Sequence, residues 1–272
     1  WLRNWLENDI KNQENSIELE TIDNLISDWI KSNHKSSFDG WHSYTTSIRI
    51  RNLLLFYSFH PEIVKEKYLS SIWDQLIWLE RHPESYLGGN HWLENLTALI
   101  FGSLFFKNKK SNKIFLKALK KLEKEIDKQI LEDGGHEERS ASYHILILDK
   151  LVELGCILQI IKSKRPTWLV NHIQKMTVWL ERILLEKNNF PRFNDSPMDA
   201  CPSPKIVLFF AISYLKEIQW GNKVYLDNPE INILYQSSRE IKSSKPLVSS
   251  IVPCYNRKKM LRITIESLVG QD

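Results

Sequence analysis

From Leu2 to Lys216, apolar residues recur at three- and four-residue spacing, in segments broken by short polar or Gly/Pro stretches. This period lays apolar side chains along one face of an α-helix. It predicts helices over about 1–10, 17–32, 44–58, 61–81, 91–107, 111–132, 139–163, 168–186 and 204–217. Trp29, Trp73, Trp78 and Trp179 fall on the apolar stripes, where large rings suit the packing of helix pairs. No fixed-period repeat is present, so an open solenoid and a closed toroid of antiparallel helix pairs fit the pattern equally.

The pattern changes after the Ser/Lys-rich stretch 236–246, where Leu247–Pro253 reads as a strand, Cys254–Arg257 as a loop and the residues from Lys258 as a helix. The expected organisation is therefore an all-α helical domain over 1–235, a linker over 236–246 and a short strand-loop-helix fragment over 247–272. The fragment resembles the opening of inverting, family 2 glycosyltransferases, through Pro253, Tyr255, Asn256, Arg257, Ser267, Leu268 and Gln271.

Composition narrows the classes. With 272 residues, 42% hydrophobic and 26% charged, the chain is long enough for a substantial core and ordinary for a globular protein. Nine Gly and 10 Pro are few for an all-β chain that must turn every few residues, which favours helices. No apolar run is long enough to span a membrane. The net charge of +4 comes from basic residues scattered along the chain with no nucleic-acid-binding motif, so no nucleic-acid partner is expected. Cys156, Cys201 and Cys254 are far apart and lack metal-ligand spacing, so neither a disulfide framework nor a metal site is expected, and no cofactor. The chain starts at Trp1 without a Met or a signal core, which predicts that the natural N-terminus lies upstream.

Three inter-helix segments are richer in polar residues than a turn requires, and loops on a rigid scaffold often carry function. In Gly88–Asn95, the imidazole of His91 and the carboxylate of Glu94 are three residues apart on one helical face, where Glu94 can orient His91 for acid/base work. The same residues also suit helix capping, with Asn90 as the N-cap and Glu94 complementing the dipole. In Asp133–His144, Tyr143 follows Arg139 by four, so the guanidinium can sit beside the phenol and favour its deprotonation. The alternative there is that Tyr143 and His144 are interior residues while Glu137, Glu138 and Arg139 cap a helix start. Glu137 and Glu138 do not form a glycosidase pair, because adjacent carboxylates do not face each other across a substrate. The third segment, Pro191–Ser196, is a turn by composition.

Taken together, Ser-Tyr-Thr-Thr-Ser-Ile-Arg-Ile at 43–50, Asn-His-Trp-Leu-Glu-Asn at 90–95, Asp-Gly-Gly-His-Glu-Glu-Arg-Ser-Ala-Ser-Tyr-His at 133–144 and Phe-Asn-Asp-Ser at 193–196 resemble the heparinase II/III and alginate-lyase type of polysaccharide lyase. The resemblance covers about residues 1–220 and corresponds to that family's N-terminal domain, an incomplete (α/α) toroid. It implies β-elimination on an acidic, uronic-acid-containing polysaccharide. Asn90 would neutralise the substrate carboxylate, Tyr143 would act as general acid, and as base for some epimers, and His91 would be the alternative base with Glu94 behind it. His136, Glu138, Arg139, Asn194 and Asp195 would bind or orient substrate.

The pattern also departs from the family. Its usual β-sandwich domain and the further catalytic His it supplies have no counterpart here, and Glu137 stands where many relatives carry an aromatic or other residue. The competing expectation is a non-catalytic glycan-binding or scaffolding domain fused to a glycosyltransferase. The lyase resemblance implies a periplasmic or secreted protein, and the glycosyltransferase fusion an intracellular one.

Overall fold

The computed structural model describes residues 18–35, 39–106, 108–162, 165–185, 189–197 and 201–216. These form α1 (Leu19–Ser32), α2 (Ser43–Phe59), a 3-10 turn (Pro61–Ile63), α3 (Glu66–Arg81), α4 (Gly89–Phe105), α5 (Lys109–Gln129), α6 (Ala141–Lys162), α7 (Thr167–Ile183) and α8 (Pro204–Lys216). The helical pattern between 17 and 217 is matched except over 61–81, where the expected single helix is a 3-10 turn at Pro61–Ile63 followed by α3 from Glu66. The expected helix at 1–10 lies outside the described residues.

The expected fold class, a helical domain carrying a strand-loop-helix fragment, needs correction. The described residues are all-α and contain no strand, only the isolated bridges Ile130–His136 and Leu185–Asn189. The linker and fragment at 236–272 lie outside the described residues and contribute nothing to the fold assignment.

The chain divides into two compact units between Lys124 and Glu125, within α5. In the first, α2, α3 and α4 pack together. Ile50, Leu53 and Phe56 of α2, Ile72, Leu76 and Leu79 of α3, and Leu93, Leu96 and Ile100 of α4 are all buried. From Trp92 to Leu104 almost every side chain of α4 is buried, including Glu94 and Asn95. A helix covered on all sides must satisfy its polar groups internally, and here they build the site. Trp41 and Trp78 meet edge to face at 5.6 Å, and the Trp78 indole donates to the Trp41 carbonyl at 2.9 Å.

In the second unit, α6, α7 and α8 pack against one another. Their core includes Ile145, Leu148, Leu151, Leu169, Ile173, Met176, Leu208 and Tyr214. The turn Ile130–His136 precedes α6 and is closed by backbone hydrogen bonds from Leu131 to Gly135 and from Glu137 to Gln129.

Helix starts differ from the sequence pattern for local reasons. α4 begins two residues early because Gly88, at φ +65°, turns the chain into the helix in a conformation that only glycine adopts without strain. α6 begins two residues late because Arg139, at φ +52°, lies outside the helix and Ser140 caps it. None of the described helices is long and apolar enough to cross a membrane.

Candidate functional site

The site residues fall into two groups, one in each unit. In the first unit, Asn90 and His91 occupy the first turn of α4. The N-cap is Gly88 and no side chain caps the helix, so Asn90 is not the cap its residue type suggests. His91 is about half exposed and its Nδ1 lies 3.1 Å from Glu84 Oε1. A carboxylate only accepts, so Nδ1 carries the proton and Nε2 holds the free lone pair. The His91 ring also packs on Tyr44 of α2, with centroids 4.5 Å apart.

Glu84 is buried, and its surroundings explain how it stays there. Its carboxylate accepts from Asn95 Nδ2 at 3.3 Å and lies 3.5 Å from His42 Nε2, and its backbone N–H donates to Asn95 Oδ1 at 2.7 Å. Asn95 Nδ2 also donates to Ser47 Oγ at 3.1 Å. A buried carboxylate with this many donors is a fixed support for the imidazole.

The carboxylate behind His91 is therefore Glu84. Glu94, three residues along the helix, turns to Arg51, whose guanidinium donates to Oε1 at 2.8 Å and Oε2 at 3.2 Å. Burial, with Glu94 and Glu84 nearby, raises the pKa of the Tyr44 phenol above its usual value. Sequence reasoning missed Glu84, His42, Tyr44 and Arg51. The available signals were that Tyr44 lies inside the 43–50 motif and that Glu84 directly precedes the polar Ser85–His91 loop.

In the second unit, the phenol of Tyr143, in the first turn of α6, donates to Asp195 Oδ2 at 2.8 Å. The 193–197 segment is fastened to this helix start: Ser140 Oγ donates to the Asp195 carbonyl at 2.6 Å, Ala141 N–H to Ser196 Oγ at 2.9 Å and Ser142 Oγ to the Pro197 carbonyl at 2.8 Å. Asn194, at φ +52°, donates from Nδ2 to the carbonyls of Glu138 and Arg139 at 3.1 and 3.2 Å. What composition reads as a turn is thus the clamp that presents Asp195 to Tyr143.

Glu138, Arg139, Asn194 and Asp195 are exposed. Because Arg139 precedes α6, the helical i,i+4 relation to Tyr143 does not arise, and the phenol's partner at this place is Asp195. Partial burial, aided by Glu137 and Asp195, raises the pKa of Glu138. His136 is buried. Its Nδ1 accepts from the Glu138 N–H at 3.3 Å, so Nε2 carries the proton and donates to Gln129 Oε1 at 3.1 Å. Burial pushes its pKa down to about 4, leaving a neutral residue that shapes the loop. His144 is also buried and neutral, its pKa pushed down to about 3 by burial, with Nε2 donating to the Met176 carbonyl at 3.0 Å. No three His, Cys, Asp or Glu side chains gather as metal ligands among the described residues.

An all-helical domain with polar loops on helix starts defines the class, and comparison defines the family. The chain belongs to the heparinase II/III N-terminus family, which matches residues 11–207. It is similar in fold, an α/α toroid, to a solved structure titled "Crystal Structure of Heparinase III", with 20% sequence identity and a TM-score of 0.61. That match covers 74% of this chain and 33% of the other, so the chain spans about a third of its length. No curated protein matches the chain. The family match ends before residue 247 and gives the glycosyltransferase resemblance there no support.

Proposed function

We propose that this chain is the helical domain of a polysaccharide lyase that binds uronic-acid-containing glycan and cleaves it by β-elimination. The reaction breaks the C5–H and C4–O bonds of a uronate and forms a C4=C5 double bond, so it needs a base, a proton donor and neutralisation of the carboxylate. His91 supplies the base through Nε2, since Glu84 holds the proton on Nδ1. Asn90, in the uncapped first turn of α4, donates to the substrate carboxylate, where the positive end of the helix also favours negative charge. Tyr143 delivers its proton to the departing O4, and Asp195 aims the phenol.

The observation that carries this reading is family membership over 11–207, together with a supported imidazole and a half-buried phenol that donates to Asp195, both at motif positions. Mass spectrometry of products from heparan sulfate, hyaluronan, chondroitin and alginate tests it. Elimination leaves an unsaturated end lighter by one water than the hydrolysis product. Saturated products, or none across the panel, contradict the proposal.

A further inference from the structure

The basic residues are less scattered than expected from the sequence, because the helix α5 carries Lys109, Lys110, Lys113, Lys117, Lys120, Lys121 and Lys124 within the first unit. At 3.6 residues per turn, all seven fall within an arc of about 120°. All are exposed. The opposite face is apolar and buried through Ile114, Phe115, Ala118 and Leu122. Glu123 is the only acid between 109 and 124, and none of the seven ammonium groups forms an ion pair among the described residues. Ordinary solvated helices mix both signs, because like charges at i,i+4 repel. Here 109/113, 113/117, 117/121 and 120/124 are all such pairs. Partial burial, with Lys117 nearby, lowers the pKa of Lys121, whose ammonium lies 5.2 Å from the centre of the Trp92 ring, the residue after His91.

We propose that this lysine face is a docking track for the anionic chain of the polysaccharide, holding it by charge beside the first turn of α4. The inference rests on the reading of the protein as a binder of acidic glycan and adds the place where that glycan is held. A run of seven lysines extends about 22 Å at 1.5 Å per residue, enough for several sugar units. Lysines are compact charges on flexible stems and suit carboxylates or sulfates at variable spacing. The occupant is a glycan because the family match behind the proposed function points to one, and the stripe presents no exposed aromatic ring on which single-stranded nucleic-acid bases could stack; duplex DNA is left to the test. A lipid surface fits poorly, since the apolar face that would enter it is already buried.

The test uses the full chain and fluorescein-labelled heparan sulfate and alginate oligosaccharides, with binding followed by anisotropy across a salt series. The combined variant Lys113→Glu, Lys117→Glu, Lys120→Glu is expected to bind roughly tenfold more weakly at low salt and with a shallower salt dependence. Its far-ultraviolet circular dichroism is expected to match the wild type, so that the loss of binding reads the charge reversal and not unfolding of α5. The matching Lys→Gln variant, milder on folding, is expected to fall between the two. Unchanged affinity and slope in both variants overturn the proposal. So does a wild-type chain that binds none of these glycans, or one whose stripe-dependent binding is to duplex DNA or anionic vesicles. Stripe-dependent glycan binding without elimination products sustains the track and removes the lyase reading.

Discussion

Glu84 Oε1 sits 3.1 Å from His91 Nδ1, so a buried carboxylate from the α3–α4 loop, seven residues upstream, fixes which imidazole nitrogen keeps its lone pair. Two consequences separate this carboxylate from its neighbour Glu94.

Replacing Glu84 by Gln keeps the size and one acceptor but no longer requires Nδ1 to hold the proton. Turnover is expected to fall by about 10²-fold with little change in KM, because orientation and tautomer matter most in the transition state. Steady-state kinetics across pH check this. Wild-type turnover would remove the positioning role.

Glu94 is expected to behave differently. Glu94→Ala leaves Arg51, itself largely buried, without its carboxylate, and stability is expected to drop by about 3 kcal/mol. Denaturant unfolding measures the loss. A folded variant that keeps full stability and loses turnover would return Glu94 to the orienting position that its spacing suggests.

These two residues show how far the sequence was legible. The i,i+3 spacing correctly places His91 and Glu94 in the first turns of α4, but partner choice is tertiary: Arg51, 43 residues away on α2, takes Glu94. Glu84 reaches His91 through a loop, and a helical period carries no information about loops. The same holds for Arg139 and Tyr143. Their spacing implies a shared helical face, yet φ +52° at Arg139 and the Ser140 cap start the helix after Arg139. The helix order was legible because periodic burial reports it directly. The strand expected near 247–253 lies outside the described residues, and the described chain is all-α.

Two glycines with positive φ give contrasting expectations. At Gly88 an added Cβ meets nothing within 4 Å, so Gly88→Ala costs only the backbone strain, about 1–2 kcal/mol. At Gly134, φ +91°, the added Cβ would run into the Lys175 backbone, so Gly134→Ala is expected to cost clearly more. Thermal unfolding of the two variants compares them, and equal losses would contradict the packing of the 130–136 turn.

Acid should destabilise the second unit through its buried histidines. His136 and His144 have pKa values pushed down to about 4 and about 3, whereas an unfolded His titrates near 6.5. Between those values the unfolded chain binds more protons, so this contribution is fully present above about pH 6.5 and is lost as pH falls towards the folded values. His136→Gln is expected to lower Tm at neutral pH but to flatten its decline between pH 6.5 and 4. An unchanged slope would mean that His136 is not buried neutral.

The proton-donor role of Tyr143 is read by the ultraviolet absorbance of unsaturated uronate during incubation with the glycan panel, for the wild-type chain and for Tyr143→Phe. The phenol that Asp195 holds at 2.8 Å is assigned the proton that leaves with O4. Absorbance is expected to rise for the wild type, at a rate that falls by about 10²- to 10⁴-fold in Tyr143→Phe. Equal rates for the two proteins would contradict that assignment.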